Sequence, residues 1–166
     1  MKYRKLSLEE LEELKDDFVR FLASNQITAT DWERLKNDDP DNAGALIGLF
    51  SDMVFEQVLA RATYLEFRTP HDLKTFHCLP DKILMLGLMV DEGAGIDFSK
   101  NQNAAEMSAL LQSAGASLKL YSAEKNYTGS REEELFRMLE HGCLISREGE
   151  MYKLLEELKN GISTKS

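Results

Sequence analysis

The sequence predicts an α+β fold, a single domain over residues 1–162 with a frayed tail at 163–166. Three observations predict it. The apolar period changes from 3.6 to 2 near residue 63, as it does where a helix gives way to a half-buried strand. Three strand-like runs then follow with only short turns between them, which makes an antiparallel meander. Helical segments flank the strands instead of alternating with them, so the pattern is not that of a parallel βαβ sheet.

The first helix is expected over residues 7–24. Ser7 with Glu10 has the form of a capping box. Leu8, Leu11, Leu14, Phe18, Phe21 and Leu22 recur at spacings of three and four and share one face. Thr30 with Glu33 suggests a second box, opening a short helix that carries Trp32 and Leu35. Asp39-Pro40 signals a third start, because proline suits the first helical position. From there Ala43, Leu46, Ile47, Phe50, Met53, Val54 and Leu59 make a long helix, apolar around much of its girth and placed at the centre of the fold.

Thr63, Leu65 and Phe67 alternate with Tyr64, Glu66 and Arg68, a half-buried strand. Thr69-Pro70-His71-Asp72 is turn chemistry. A second strand covers 73–79, Leu79–Lys82 turns again, and the apolar run 83–90 is a strand covered on both faces. With turns at 69–72 and 79–82, Leu65 falls opposite Phe76, Tyr64 opposite His77, His77 opposite Leu84 and Cys78 opposite Ile83. DEGAGIDFSKNQ reads as a loop. Asn103 and Glu106 cap a helix through Gln112 that Gly115 would end, and residues 117–125 form a fourth strand. Ser130 and Glu133 open another helix, with Gly142 at its C-terminal cap. Residues 143–146 are either a short strand or a connection. The last helix runs over about 148–160 with Gly161 after it.

With 20 basic and 29 acidic residues the net charge is −9, which argues against nucleic-acid partners and anionic membrane surfaces unless the basic residues cluster. MKYRKLSLEELEEL has no apolar core of a signal peptide, no uninterrupted apolar run approaches a membrane span, and two cysteines are no disulfide framework. A cytoplasmic location with reduced thiols is expected.

TPHDLKTFHCLPDKI holds two of the three histidines and one cysteine. Neighbours on a strand point to opposite faces, so His77 and Cys78 do not reach one ion together. His71 and His77 share parity but lie about 20 Å apart along an extended chain. A zinc site combining His77, Cys78, His141 and Cys143 matches no ligand spacing. No nucleophile motif accompanies either cysteine. Gly93 and Gly95 form a bare G-x-G beside Asp91 and Glu92, which would repel a pyrophosphate. The carboxylates Asp38, Asp39, Asp41, Asp91, Glu92 and Glu132–Glu134 sit at helix starts or in loops, where acids are ordinary. Lys2, Arg4 and Lys5 make too short a basic patch to imply a partner. No catalytic residue, cofactor or metal is therefore assigned.

Four long segments carry a likeness: MKYRKLSLEELEEL, FLASNQITATDWERLK, LFSDMVFEQVLARATYLEFRTPHDLKTFHC and SREEELFRMLEHGCLIS. With these the chain resembles an uncharacterised family of small bacterial proteins, a domain of unknown function found mainly in Bacteroidetes. The resemblance implies a bacterial cytosolic protein and supplies no activity or site. The reading that follows is a non-catalytic domain that binds another protein or itself, with Trp32 a candidate interface anchor. The alternative is a small-molecule-binding or enzymatic domain with its site on the polar face of the meander, around Tyr64, Glu66 and His77.

Overall fold

The computed structural model describes residues 1–114 and 117–164. The expected α+β class is borne out: the described residues hold seven α-helices and one five-stranded antiparallel sheet. The chain divides into two compact units, Met1–Ala60 and Arg61–Ser166.

The first unit is helical. The expected first helix is two, α1 (Leu8–Glu13) and α2 (Lys15–Ser24), parted at Leu14 by a backbone distortion (φ −103°, ψ 21°). The hydrogen bonds Leu14 N to Glu10 O and Phe18 N to Leu14 O run through the break, so it is a kink and not an end. The Ser7–Glu10 capping box is present. The next box lies two residues earlier than expected. ITATDWE contains two overlapping candidates, and Thr28 with Asp31 caps α3 (Ala29–Asp38) in place of Thr30 with Glu33. The earlier cap is available because Gln26, at φ 61°, closes the end of α2. The long helix α4 (Pro40–Arg61) starts at Pro40 as expected. Its mean hydropathy reaches 1.4 over 18 residues, enough by length and composition to cross a membrane, and 28% of that window is buried. Phe50 meets Phe18 and Phe21 at ring distances of 5.0 and 5.4 Å. The first residues run beside α4: Leu6 N–H donates to the buried Ser51 hydroxyl, which donates to Ile47 O. The basic residues at the start are used internally, Lys2 on Glu56 and Arg4 on Glu10.

The second unit is built on the sheet. Strands β1 (Tyr64–Thr69), β2 (Asp72–Cys78) and β3 (Lys82–Val90) form the meander in the expected register, Leu65 opposite Phe76, Tyr64 opposite His77, and Cys78 opposite Ile83. After a 3₁₀ turn (Glu92–Ala94), α5 (Ala104–Ala114) leads to β4 (Leu118–Asn126), which pairs with β3. Helix α6 (Arg131–Glu140) then returns the chain to the opposite edge, where β5 (Leu144–Ser146) pairs with β1. Residues 144–146 thus do join the sheet, and the strand order is β4-β3-β2-β1-β5. Helix α7 (Glu150–Thr164) continues through Gly161, beyond the expected end, as a helical glycine costs only about 1 kcal/mol. The expected helix stop at Gly115 lies outside the described residues, as do the last two residues of the expected frayed tail.

Alternation gives the sheet two faces. One carries Leu73, Leu86, Leu88 and Val90 and packs beneath α5 and α7 around Met107, Leu111, Met151 and Leu155. Ile96 and Phe98, from the segment read as loop, belong to this core. The other face carries Leu65, Phe67, Phe76, Cys78, Lys74 and Ile83, and α6 lies over it.

Candidate functional site

Tyr64, Glu66 and His77 share the face that packs against α7. Tyr64 and His77 come together: their rings stack at 4.6 Å, and Tyr152 of α7 meets His77 edge-on at 5.3 Å. Gly149, just before α7, makes this packing possible. It has φ 65°, and a Cβ there would fall 2.4 Å from the Tyr64 ring. Burial lowers the His77 pKa, and Lys153 adds to this while Glu156 opposes it. Glu66 stands apart, ion-paired with Arg68 at 3.1 Å. It lines a polar cleft of about 420 Å³ with residues 101–103 and the approach to α7. Arg68 is fully engaged there, donating also to Lys100 O, Gln102 O and Gln102 Oε1. Its work is to strap the 100–102 loop to β1.

Trp32 lies in the first unit. It is half-buried, edge-on to Phe18 at 5.1 Å, with Lys36 Nζ 5.9 Å from its ring.

The zinc combination is not assembled. His77 and Cys78 lie on opposite faces of β2, and among the described residues no group of three or more His, Cys, Asp or Glu side chains is placed to hold a metal ion.

The opposite face holds a second cleft, which the sequence reading did not single out. Its floor is Phe67 of β1 with Lys74 and Phe76 of β2. Its wall is Glu134, Arg137, Met138 and His141, spaced i, i+3, i+4 and i+7 on α6 and its cap, hence on one side of that helix. Cys143 and Lys125 complete a volume of about 410 Å³.

Local chemistry sets this wall in place. Ser130 Oγ caps α6 by accepting from Glu133 N. Arg131 straps the helix start to the sheet, donating to Leu79 O, Cys78 O and Ala62 O. Gly142, at φ 108°, ends the helix as expected: Gly142 N donates to Leu139 O and Cys143 N to Met138 O, a Schellman closure that turns Cys143 into the cleft. A Cβ at Gly142 would sit 3.1 Å from the Phe67 ring, so the backbone lies directly over the floor.

One family matches the chain, over residues 1–160. The chain belongs to DUF6495, a family of unknown function. No curated protein and no solved structure matches it.

In this DUF6495 chain burial and neighbouring charges set the state of the groups that line the second cleft. Glu134 is buried but keeps its charge. Burial pushes its pKa up, and the Lys125 ammonium, the Thr128 N–H and the Arg137 charge outweigh it, leaving a net lowering. Burial raises the Cys143 thiol against the opposing charge of Lys74, and raises Cys78 to about 11, so both stay protonated and weakly nucleophilic. His141 Nδ1 donates to Arg137 O at 2.7 Å, which leaves Nε2 outward. The Arg137 guanidinium is exposed and makes no hydrogen bond or ion pair among the described residues.

Proposed function

We propose that the protein is a non-catalytic, cytoplasmic binding domain whose site is the cleft between α6 and the outer face of the sheet. The observation that supports this is the pairing of an apolar floor (Phe67, Phe76, Met138) with unengaged cationic capacity at Arg137. Concave, largely apolar sites with a few polar groups are where small ligands bind. In the other cleft Glu66, Arg68 and Gln102 are engaged with one another, and its lining is mostly polar.

The test is a thermal-shift screen of small metabolites on the wild type and Met138→Glu, which puts a carboxylate into the wall. The reading expects ligands that raise the wild-type Tm and leave the variant unmoved. A panel without effect, or equal effects on both proteins, would count against it.

A second reading is self-association, favoured by β5. Leu144 (64% exposed) and Ile145 (38%) stand on opposite faces of an open sheet edge, whereas the β4 edge is charged at Lys119, Glu124 and Lys125. Open apolar edges pair with further strands. Sedimentation over a concentration series decides: a concentration-dependent dimer supports this reading, and a monomer throughout ends it.

A further inference from the structure

We propose that the ligand of the α6 cleft is a small organic anion with an aromatic or acyl body, its anionic head held by Arg137 and Lys74. This rests on the binding reading above and names the chemistry of its ligand.

Charge comes first. The chain carries −9, yet this cleft is lined by Lys74, Lys125 and Arg137 against a single carboxylate, Glu134. That carboxylate is already committed to Lys125 in an ion pair across the sheet–helix gap. The remaining cations stand on two sides of the cleft, Lys74 on the strand floor and Arg137 on the helix wall. Lys74 is held only loosely, 3.4 Å from Asp72, whose Oδ1 also accepts from the Tyr121 hydroxyl. An anion entering between floor and wall meets an exposed guanidinium able to bind it with two parallel hydrogen bonds. A cationic ligand would meet repulsion from both sides.

The floor decides the rest of the molecule. Phe67 and Phe76 sit on neighbouring strands and the same face, with Met138 above them and the neutral Cys143 thiol beside them. Such a surface gains from covering an apolar body and offers little to a sugar or a bare inorganic ion. Methionine and aromatic side chains adapt to flat or chain-like shapes. A volume of about 410 Å³ lies in the range of small-ligand sites and is too small for a folded partner.

Two fluorescent probes test this on the full chain: 1-anilinonaphthalene-8-sulfonate, an aromatic anion, and N-phenyl-1-naphthylamine, the same aromatic body without the charge. The sulfonate should bind at least about tenfold more tightly, the worth of one charge-assisted contact. Arg137→Gln and Lys74→Gln should each weaken the sulfonate several-fold and leave the uncharged probe unchanged. Arg137 is exposed, so its loss should not disturb the melting curve. Cys143 gives an independent readout. The sulfonate should slow its alkylation by N-ethylmaleimide, with Cys78, 3% exposed, as the internal control. Equal affinity for the two probes, or indifference to Arg137→Gln, overturns the anion assignment while a cleft that still protects Cys143 keeps the binding reading. Unchanged Cys143 alkylation at saturating concentrations of both probes overturns the two together.

Discussion

The two faces of one sheet make opposite use of the same alternation. On the inner face Leu73, Leu86 and Leu88 lie under two helices, and Met107 and Leu155 above them are fully buried. On the outer face one helix of ten residues, α6, leaves Phe67 and Phe76 half-covered and a cleft beside them. Both faces carry large apolar strand residues among polar ones, so hydrophobicity alone does not separate core from site. What separates them is how much helix the topology delivers to each side. After β4 the chain must travel from one edge of the sheet to the other to place β5 beside β1, and α6 is the only described helix laid along that path. The face crossed once keeps an apolar floor open to solvent, whereas the cleft at the margin of the inner face, beside Glu66 and Arg68, is polar.

Matched truncations on the two faces give the largest contrast. Met107→Ala, in the closed core, should cost about 3 kcal/mol by urea unfolding, with a cavity left behind. Met138→Ala, on the cleft wall, should cost about 1 kcal/mol or less, because its side chain is already partly in solvent. Equal losses would mean that the outer face is as tightly packed as the inner one.

A smaller effect sharpens the comparison through pH. His77 sits on the inner face between Tyr64 and Tyr152, and its lowered pKa means the native state binds fewer protons than the unfolded chain. Its contribution is therefore present above the unfolded value of 6.5 and is lost as pH falls towards the depressed folded value. Urea midpoints should drop between about pH 7 and pH 5, a window where few other groups titrate. His77→Phe keeps a ring between the tyrosines and should flatten that drop. An unaltered slope in the variant would place the pH dependence elsewhere.

The meander was legible because two features agree: strict alternation from Tyr64 to Arg68, and two proline turns at Pro70 and Pro80 that fix the register. The capped helix starts at Ser7, Asp39 and Ser130 were legible for the same local reason, a side chain answering a free backbone N–H. Other features depend on long-range packing. Three residues of β5 are too few to declare a strand, and only pairing with β1 makes them one. Ile96 and Phe98 look like loop residues until α5 closes over them. Gly161 is a reasonable stop signal, but a helical glycine costs too little to end α7 by itself. The cleft was the least legible feature. Phe67, Phe76 and Met138 carry core letters, Met138 and Cys143 are separated from the two phenylalanines by a long stretch of chain, and Arg137 is an ordinary surface residue on an amphipathic helix. Only the return path of α6 brings them together. Tyr64 and His77, which carry polar atoms on aromatic rings, are instead taken up by packing beneath α7.

The most direct test is a methyl NMR spectrum of the methionines, recorded with and without 1-anilinonaphthalene-8-sulfonate. Met138 reports the outer cleft, Met107 the inner core, and Met151 the boundary between that core and the polar cleft at Glu66. The account predicts that the Met138 methyl shifts saturably while those of Met107 and Met151 stay in place. Shifts confined to Met107 and Met151, or a spectrum that the probe leaves untouched, would contradict it.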